Sequence, residues 1–158
     1  MAAHFQLARF PSVQHRGAAD WLRAVDDVLA LHGEDVVHRP ASAAHGGAVV
    51  GWRLLSENHR ELARGPRLTA TERDARADVA RVLRGAQALT VYAAPEPRLR
   101  TTGWFAVVDG ELALAGARRY ENKSVARNAG ALVVRLLREM AADIDPATQV
   151  EAAPEFAL

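Results

Sequence analysis

The sequence predicts an α+β fold made of two tandem βββα repeats behind an added N-terminal helix. Three observations lead to it. GWRLLSENHRELARGPRL from Gly51 aligns with GWFAVVDGELALAGARRY from Gly103 at a constant offset of 52, pairing Gly51, Trp52, Leu62, Ala63 and Arg67 with Gly103, Trp104, Leu114, Ala115 and Arg119. Only three tryptophans occur in 158 residues, so the Trp52–Trp104 match marks a duplication. Within each copy the apolar period changes from strand-like to helical, and Asp109-Gly110 between two apolar runs is a strong hairpin signal.

The elements follow in chain order. LARFPSV from Leu7 resembles LARGPRL from Leu62 and is a candidate partial third copy. A helix is expected from about Gly17 to His32, because Ala18, Trp21, Leu22, Val25, Val28 and Leu29 recur at helical spacing before Gly33. In the first repeat the expected strands are DVVHR (35–39), AVVGWRLLS (48–56) and RELARG (60–65), with PASAAHGG as a connector. Thr71 and Asp74 form a capping pair for a helix with the stripe Ala75, Val79, Val82 and Leu83, and Gly85 is its stop. In the second repeat AQALTVYAA is a strand ended by Pro95 and Pro97, followed by TGWFAVV and ELALAGA. A helix from about Asn122, its N-cap, to Ala141 carries the stripe Val125, Ala129, Leu132, Val133, Leu136, Leu137 and Met140. The expected organisation is a strand/helix extension over 1–33, repeats over 34–85 and 86–141, and an acidic flexible tail over 142–158.

Composition bounds the class. Apolar content is 49% and the formal net charge is +1, which excludes disorder as the main state. No apolar run is long enough to span a membrane, and MAAHFQLARF lacks the apolar stretch of a signal peptide. Cysteine is absent, which excludes disulfides and thiolate chemistry. A soluble cytoplasmic protein is expected. Nineteen arginines stand against one lysine, Lys123, which reads as coding bias. Charge is uneven: residues 50–138 hold sixteen basic and nine acidic side chains, whereas 139–158 hold five acids and no base.

Strand, then G-W-x-(F/L), D-G-E with L-A after it, and R-x-Y before a helix opening N-K-x-x-A resembles the YegP-like family of small proteins of unassigned function. The resemblance spans about residues 34–140 and is best through Trp104, Asp109, Gly110, Glu111, Leu114, Ala115, Tyr120 and Lys123. The first copy departs from it: Asn58-His59 replaces the hairpin glycine, Leu68 the tyrosine, and Ala70 stands opposite Asn122. The resemblance implies that two βββα units join in one antiparallel sheet, with helices packed on one side and exchanged between units. Trp104, Ala106 and Val108 then oppose Phe105 and Val107, so both sheet faces are apolar and a second cover is needed. The N-terminal helix, with Trp21 in its stripe, or a second subunit would supply it.

Site chemistry points away from catalysis. The six histidines all lie within the first 59 residues, and His32, His38 and His45 near Glu34 and Asp35 match no metal-ligand spacing. No metal and no cofactor are expected. Ser12, Ser42, Ser56 and Ser124 lack a nucleophile-elbow context, Asp26-Asp27 cannot face each other on a helix, and no glycine-rich phosphate loop occurs. Arg98, Arg100, Arg118, Arg119, Lys123 and Arg127, with Tyr120 interleaved, form a candidate binding cluster; arginine on phosphate with aromatic stacking suits nucleic acid. Trp52, Trp104, Leu62 and Leu114 are the expected repeat core. The expected function is a non-enzymatic binding or assembly module that presents an apolar sheet face, or a sheet edge, to itself as a homodimer or to another protein. The alternatives are a nucleic-acid-associated accessory protein using the arginine cluster, and a small-molecule binder between the repeats near Trp52, Trp104 and Tyr120.

Overall fold

Strand β1 (His4–Phe10) opens the chain, followed by α1 (Arg16–His32), β2 (Val49–Leu55), β3 (Glu61–Arg64) and α2 (Glu72–Arg84). After a short 3-10 turn at Ala86–Ala88 come β4 (Thr90–Glu96), β5 (Thr101–Val108), β6 (Glu111–Gly116), α3 (Lys123–Asp143) and β7 (Val150–Glu151). These come from a computed structural model, which describes residues 3–32, 47–143 and 150–151. The fold is α+β with one sheet in the order β4-β5-β6-β3-β2-β1-β7; neighbours are antiparallel except β7, which runs parallel to β1.

Strands β1, β2 and β3 make one side of the sheet, and β4, β5 and β6 the other. The two sides meet through the short β3–β6 ladder, where Ala63 faces Gly116 and Arg64 faces Ala115. The expected strand 35–39 lies outside the described residues, as does most of the connector after it. β1 flanks β2, with Leu7 opposite Trp52, just as β4 flanks β5, with Ala93 opposite Trp104. The N-terminal segment is thus part of the sheet, with α1 inserted between two paired strands. Alternation explains why: Phe5 and Leu7 enter the core under α2 and α3, while Ala8 and Phe10 face α1. Two residues of the expected tail, Val150 and Glu151, pair with Phe5 and Gln6. Strand β4 continues through Pro95, whose missing N–H costs nothing on an outer strand.

The constant offset of 52 does not persist past the first hairpin. Before the hairpins Arg53 and Leu54 match Phe105 and Ala106; after them Arg64 and Ala63 match Ala115 and Leu114, one residue closer. The cause is loop length. Val108 pairs with Glu111 across Asp109 and Gly110, both at positive φ (52° and 75°), as a two-residue hairpin requires. In the first hairpin Ser56 N–H donates to the Arg60 carbonyl across three residues, and His59 (φ 61°) takes the left-handed position. Thr71, not Ala70, therefore corresponds to Asn122. Both cap helices: Thr71 Oγ1 accepts from Asp74 N–H and Asn122 Oδ1 from Val125 N–H.

Helix α2 lies over β2, and α3 over β4 and β5, so each helix covers the strands that precede it rather than being exchanged. α2 buries Ala75, Val79, Val82 and Leu83 as expected, together with Asp78. The buried face of α3 is rotated from the expected stripe: Ala126, Gly130, Val133, Val134, Leu136 and Leu137 are inside, while Val125 and Leu132 are about 40% exposed. Gly130 sets this rotation, because a Cβ there would stand 2.9 Å from the Trp104 ring and 2.6 Å from Val91. α1 covers the opposite face. Ala18 and Trp21 pack on Phe10, Val49 and Leu68, and Val25 packs on Phe105, Val107 and Leu112. Among the described residues, no helix is long and apolar enough to cross a membrane.

Candidate functional site

Strand pairing assembles the sequence-predicted cluster. An isolated bridge joins Thr102 to Tyr120 through reciprocal N–H···O bonds of 2.7 and 2.8 Å, which sets the β4–β5 turn beside the start of α3. Arg98 and Arg100 lie on that turn, Arg118 and Arg119 precede Tyr120, and Lys123 and Arg127 occupy the first turns of α3. All six cations are exposed, and among the described residues none of them makes an ion pair. Tyr120 is no stacking platform, since it is half-buried and packs on the main core. Among the described residues the exposed aromatic is Tyr92 on β4, whose ring stacks on Phe105 at 5.4 Å. Strict alternation along an outer strand was the signal for it.

The other side of the sheet holds its charges inside. Trp52 Nε1 donates to Asp78 Oδ2 at 2.7 Å, and Asp78 Oδ1 accepts from Arg67 at 3.0 Å and Arg81 at 2.8 Å. Both arginines also bond Glu111 at 3.0 Å, which closes a ring of two guanidiniums and two carboxylates. Burial raises the Asp78 carboxyl above its ordinary value, and the Trp52 bond and the Arg67 charge oppose that rise. Because Glu111 opens β6, the ring ties the two sides of the sheet together. Its donors and acceptors satisfy one another, which marks it as structural. Among the described residues, no three metal-ligating side chains come together.

The expected core residues divide. Trp52, Trp104 and Leu114 are buried, whereas Leu62 is half-buried at the β3 bulge and borders, with Leu132 and Arg60, a groove beside the first hairpin. Each buried tryptophan lies against a glycine: a Cβ on Gly65 would stand 2.4 Å from Trp52 Nε1, and one on Gly116 would stand 2.2 Å from Trp104 Nε1. Trp104 has no carboxylate corresponding to Asp78. By the register of the caps that position is Ala129, and among the described residues the Trp104 indole N–H has no acceptor.

Two surface features remain. A cleft of about 130 Å³ opens between α1 and the end of β5 and β6, with Gly103, Gly116, Arg64, Arg118 and Arg119 in its lining. Strand β4 is an outer strand of the sheet, and from Thr90 to Pro95 it carries no charge.

The chain matches no family model, no curated protein and no solved structure. Its chemistry is read from these surfaces.

Proposed function

We propose that this protein is a non-enzymatic assembly module that self-associates through the outer edge of β4. The apolar face expected to mediate contact is occupied by α1, since Phe10, Phe105 and Val107 are all under 10% exposed. The carrying observation is the edge itself. No strand pairs with its outer side among the described residues. Natural edges are normally guarded by charged side chains, proline or bulges, and here only Pro95 and Glu96, at the end of the strand, do so. The two exposed large apolar residues of the β4–β5 hairpin, Tyr92 (47%) and Leu99 (62%), flank it. Antiparallel self-pairing centred on Tyr92 would set Thr90 against Ala94 and bring no like charges together.

The architecture underlying this reading is a duplicated βββα unit of the YegP-like kind, with α1 inserted into the first copy. Support comes from the matching caps at Thr71 and Asn122, the Trp–Gly contacts, and bulges at the same ladder position in both hairpins. Analytical ultracentrifugation tests the assembly. The native chain should sediment as a dimer insensitive to salt, and Thr90→Lys with Tyr92→Lys should sediment as a folded monomer. A native monomer at every concentration would refute the reading.

A second reading is favoured by the six cations gathered at one end, none of which makes an ion pair among the described residues. They suit a polyanion such as nucleic acid, held by phosphate contacts without base readout. Heparin retention that falls steeply with salt, and is lost in Arg118→Glu with Arg119→Glu, is its expected signature.

A further inference from the structure

We propose that the cleft between α1 and the β5–β6 end of the sheet binds a small oxyanion, the phosphate or carboxylate group of a small soluble ligand. The slot arises from the way one helix serves both sides of the sheet. At Gly51 a Cβ would stand 2.8 Å from the Trp21 ring, so the indole fills the space over that glycine and donates to the Gly65 carbonyl at 2.8 Å. At the corresponding Gly103 a Cβ would meet nothing nearer than the Ala94 carbonyl at 4.0 Å. There α1 offers only Ala24, Val25 and Val28, which leave the glycine floor uncovered.

The lining decides what fits. Three guanidiniums, Arg64, Arg118 and Arg119, border the cleft, and among the described residues no carboxylate does. Arg64 shares its charge with Glu61 at 2.9 Å and is held in place by stacking 4.6 Å over Trp21. Arg118 and Arg119 are exposed and make no ion pair among the described residues, so their N–H forks are available to an anion. The apolar wall of α1 lowers the local dielectric and strengthens such bonds. A volume of about 130 Å³ equals roughly four waters, enough for a phosphate or carboxylate group.

The test is a ¹H–¹⁵N titration of the full chain with inorganic phosphate and, separately, acetate at constant ionic strength. The Gly103 and Gly116 amides should shift saturably while the Gly51 and Gly65 amides stay still. Arg118→Gln with Arg119→Gln should weaken binding at least about tenfold, through lost charge-assisted bonds. Gly103→Ala, whose Cβ meets nothing nearer than the Ala94 carbonyl at 4.0 Å, puts a methyl on the floor of the slot and should weaken binding with the dispersed spectrum retained. Saturation by either anion supports the site, and the one that binds tighter names the ligand class. Linear shifts with both anions, or saturation unchanged in both variants, would overturn it. The Thr90→Lys, Tyr92→Lys monomer should titrate like the native chain, so failure of the edge reading leaves this site standing.

Discussion

Trp52 and Trp104 are equally buried, each with its indole nitrogen against a glycine on the neighbouring strand, yet their surroundings diverge. Around Trp52 the protein supplies its own counter-charges: Asp78 takes the indole bond, and Arg67, Arg81 and Glu111 close the ring. Around Trp104 the corresponding helix residue is Ala129, and Arg118, the counterpart of Arg67, points to no partner among the described residues. The two sides of the sheet thus carry different electrostatics around equally buried tryptophans. One side satisfies its charges internally and braces the sheet; the other leaves arginines exposed next to an open slot.

The sharpest way to break this contrast is truncation of the tryptophans. Trp104→Ala should cost about 3–5 kcal/mol in urea unfolding, the usual range for a large buried aromatic. Trp52→Ala should cost more, because it also strips a donor from a buried carboxylate. Equal losses would mean that the Asp78 bond adds nothing. Next in size is the arginine pair. Arg67→Met leaves Asp78 and Glu111 short of a counter-charge and should cost about 3 kcal/mol. Arg118→Met should stay within about 0.5 kcal/mol, as for an exposed, unpaired side chain. Similar losses at the two positions would show that Arg118 is also structural. The smallest contrast concerns the glycines over which α1 passes. Gly51→Ala pushes a methyl into the Trp21 ring and should destabilise by about 1–3 kcal/mol. Gly103→Ala meets only the Ala94 carbonyl, at 4.0 Å, and should be neutral or stabilising by up to about 1 kcal/mol. A cost at Gly103 would mean that the slot is closed in solution.

Much of the fold was legible because local signals agreed. The Asp109-Gly110 turn, the caps at Thr71 and Asn122 and the stop at Gly85 each carry their own chemistry, so both hairpins and both flanking helices sit close to their expected bounds. The register slip was not legible, since one extra residue between Ser56 and Arg60 leaves the Leu-Ala matches at offset 52 intact while the ladder moves by one. The rotation of α3 was hidden for a related reason: Val125 and Leu132 look like core by hydropathy, and only the need to seat Trp104 against Gly130 turns them outward. The candidate arginines were found as a cluster in sequence. That Arg67 and Arg81, outside this cluster, are satisfied internally depends on Asp78, an acid on the buried face of α2.

The sequence by itself determined the class, the alternation of strands and helices, and the identity of the buried tryptophans. Those follow from short-range periodicity and turn chemistry, which act within a few residues. Tertiary structure decided which strand completes the first side of the sheet, which face α1 covers, and where the charges go. β1 reaches β2 across a helix and a long stretch of chain, and Arg67 meets Glu111 across 44 residues. Contacts of that range are chosen by which apolar face can be buried and which charges can be paired at once, and no local pattern encodes that joint condition.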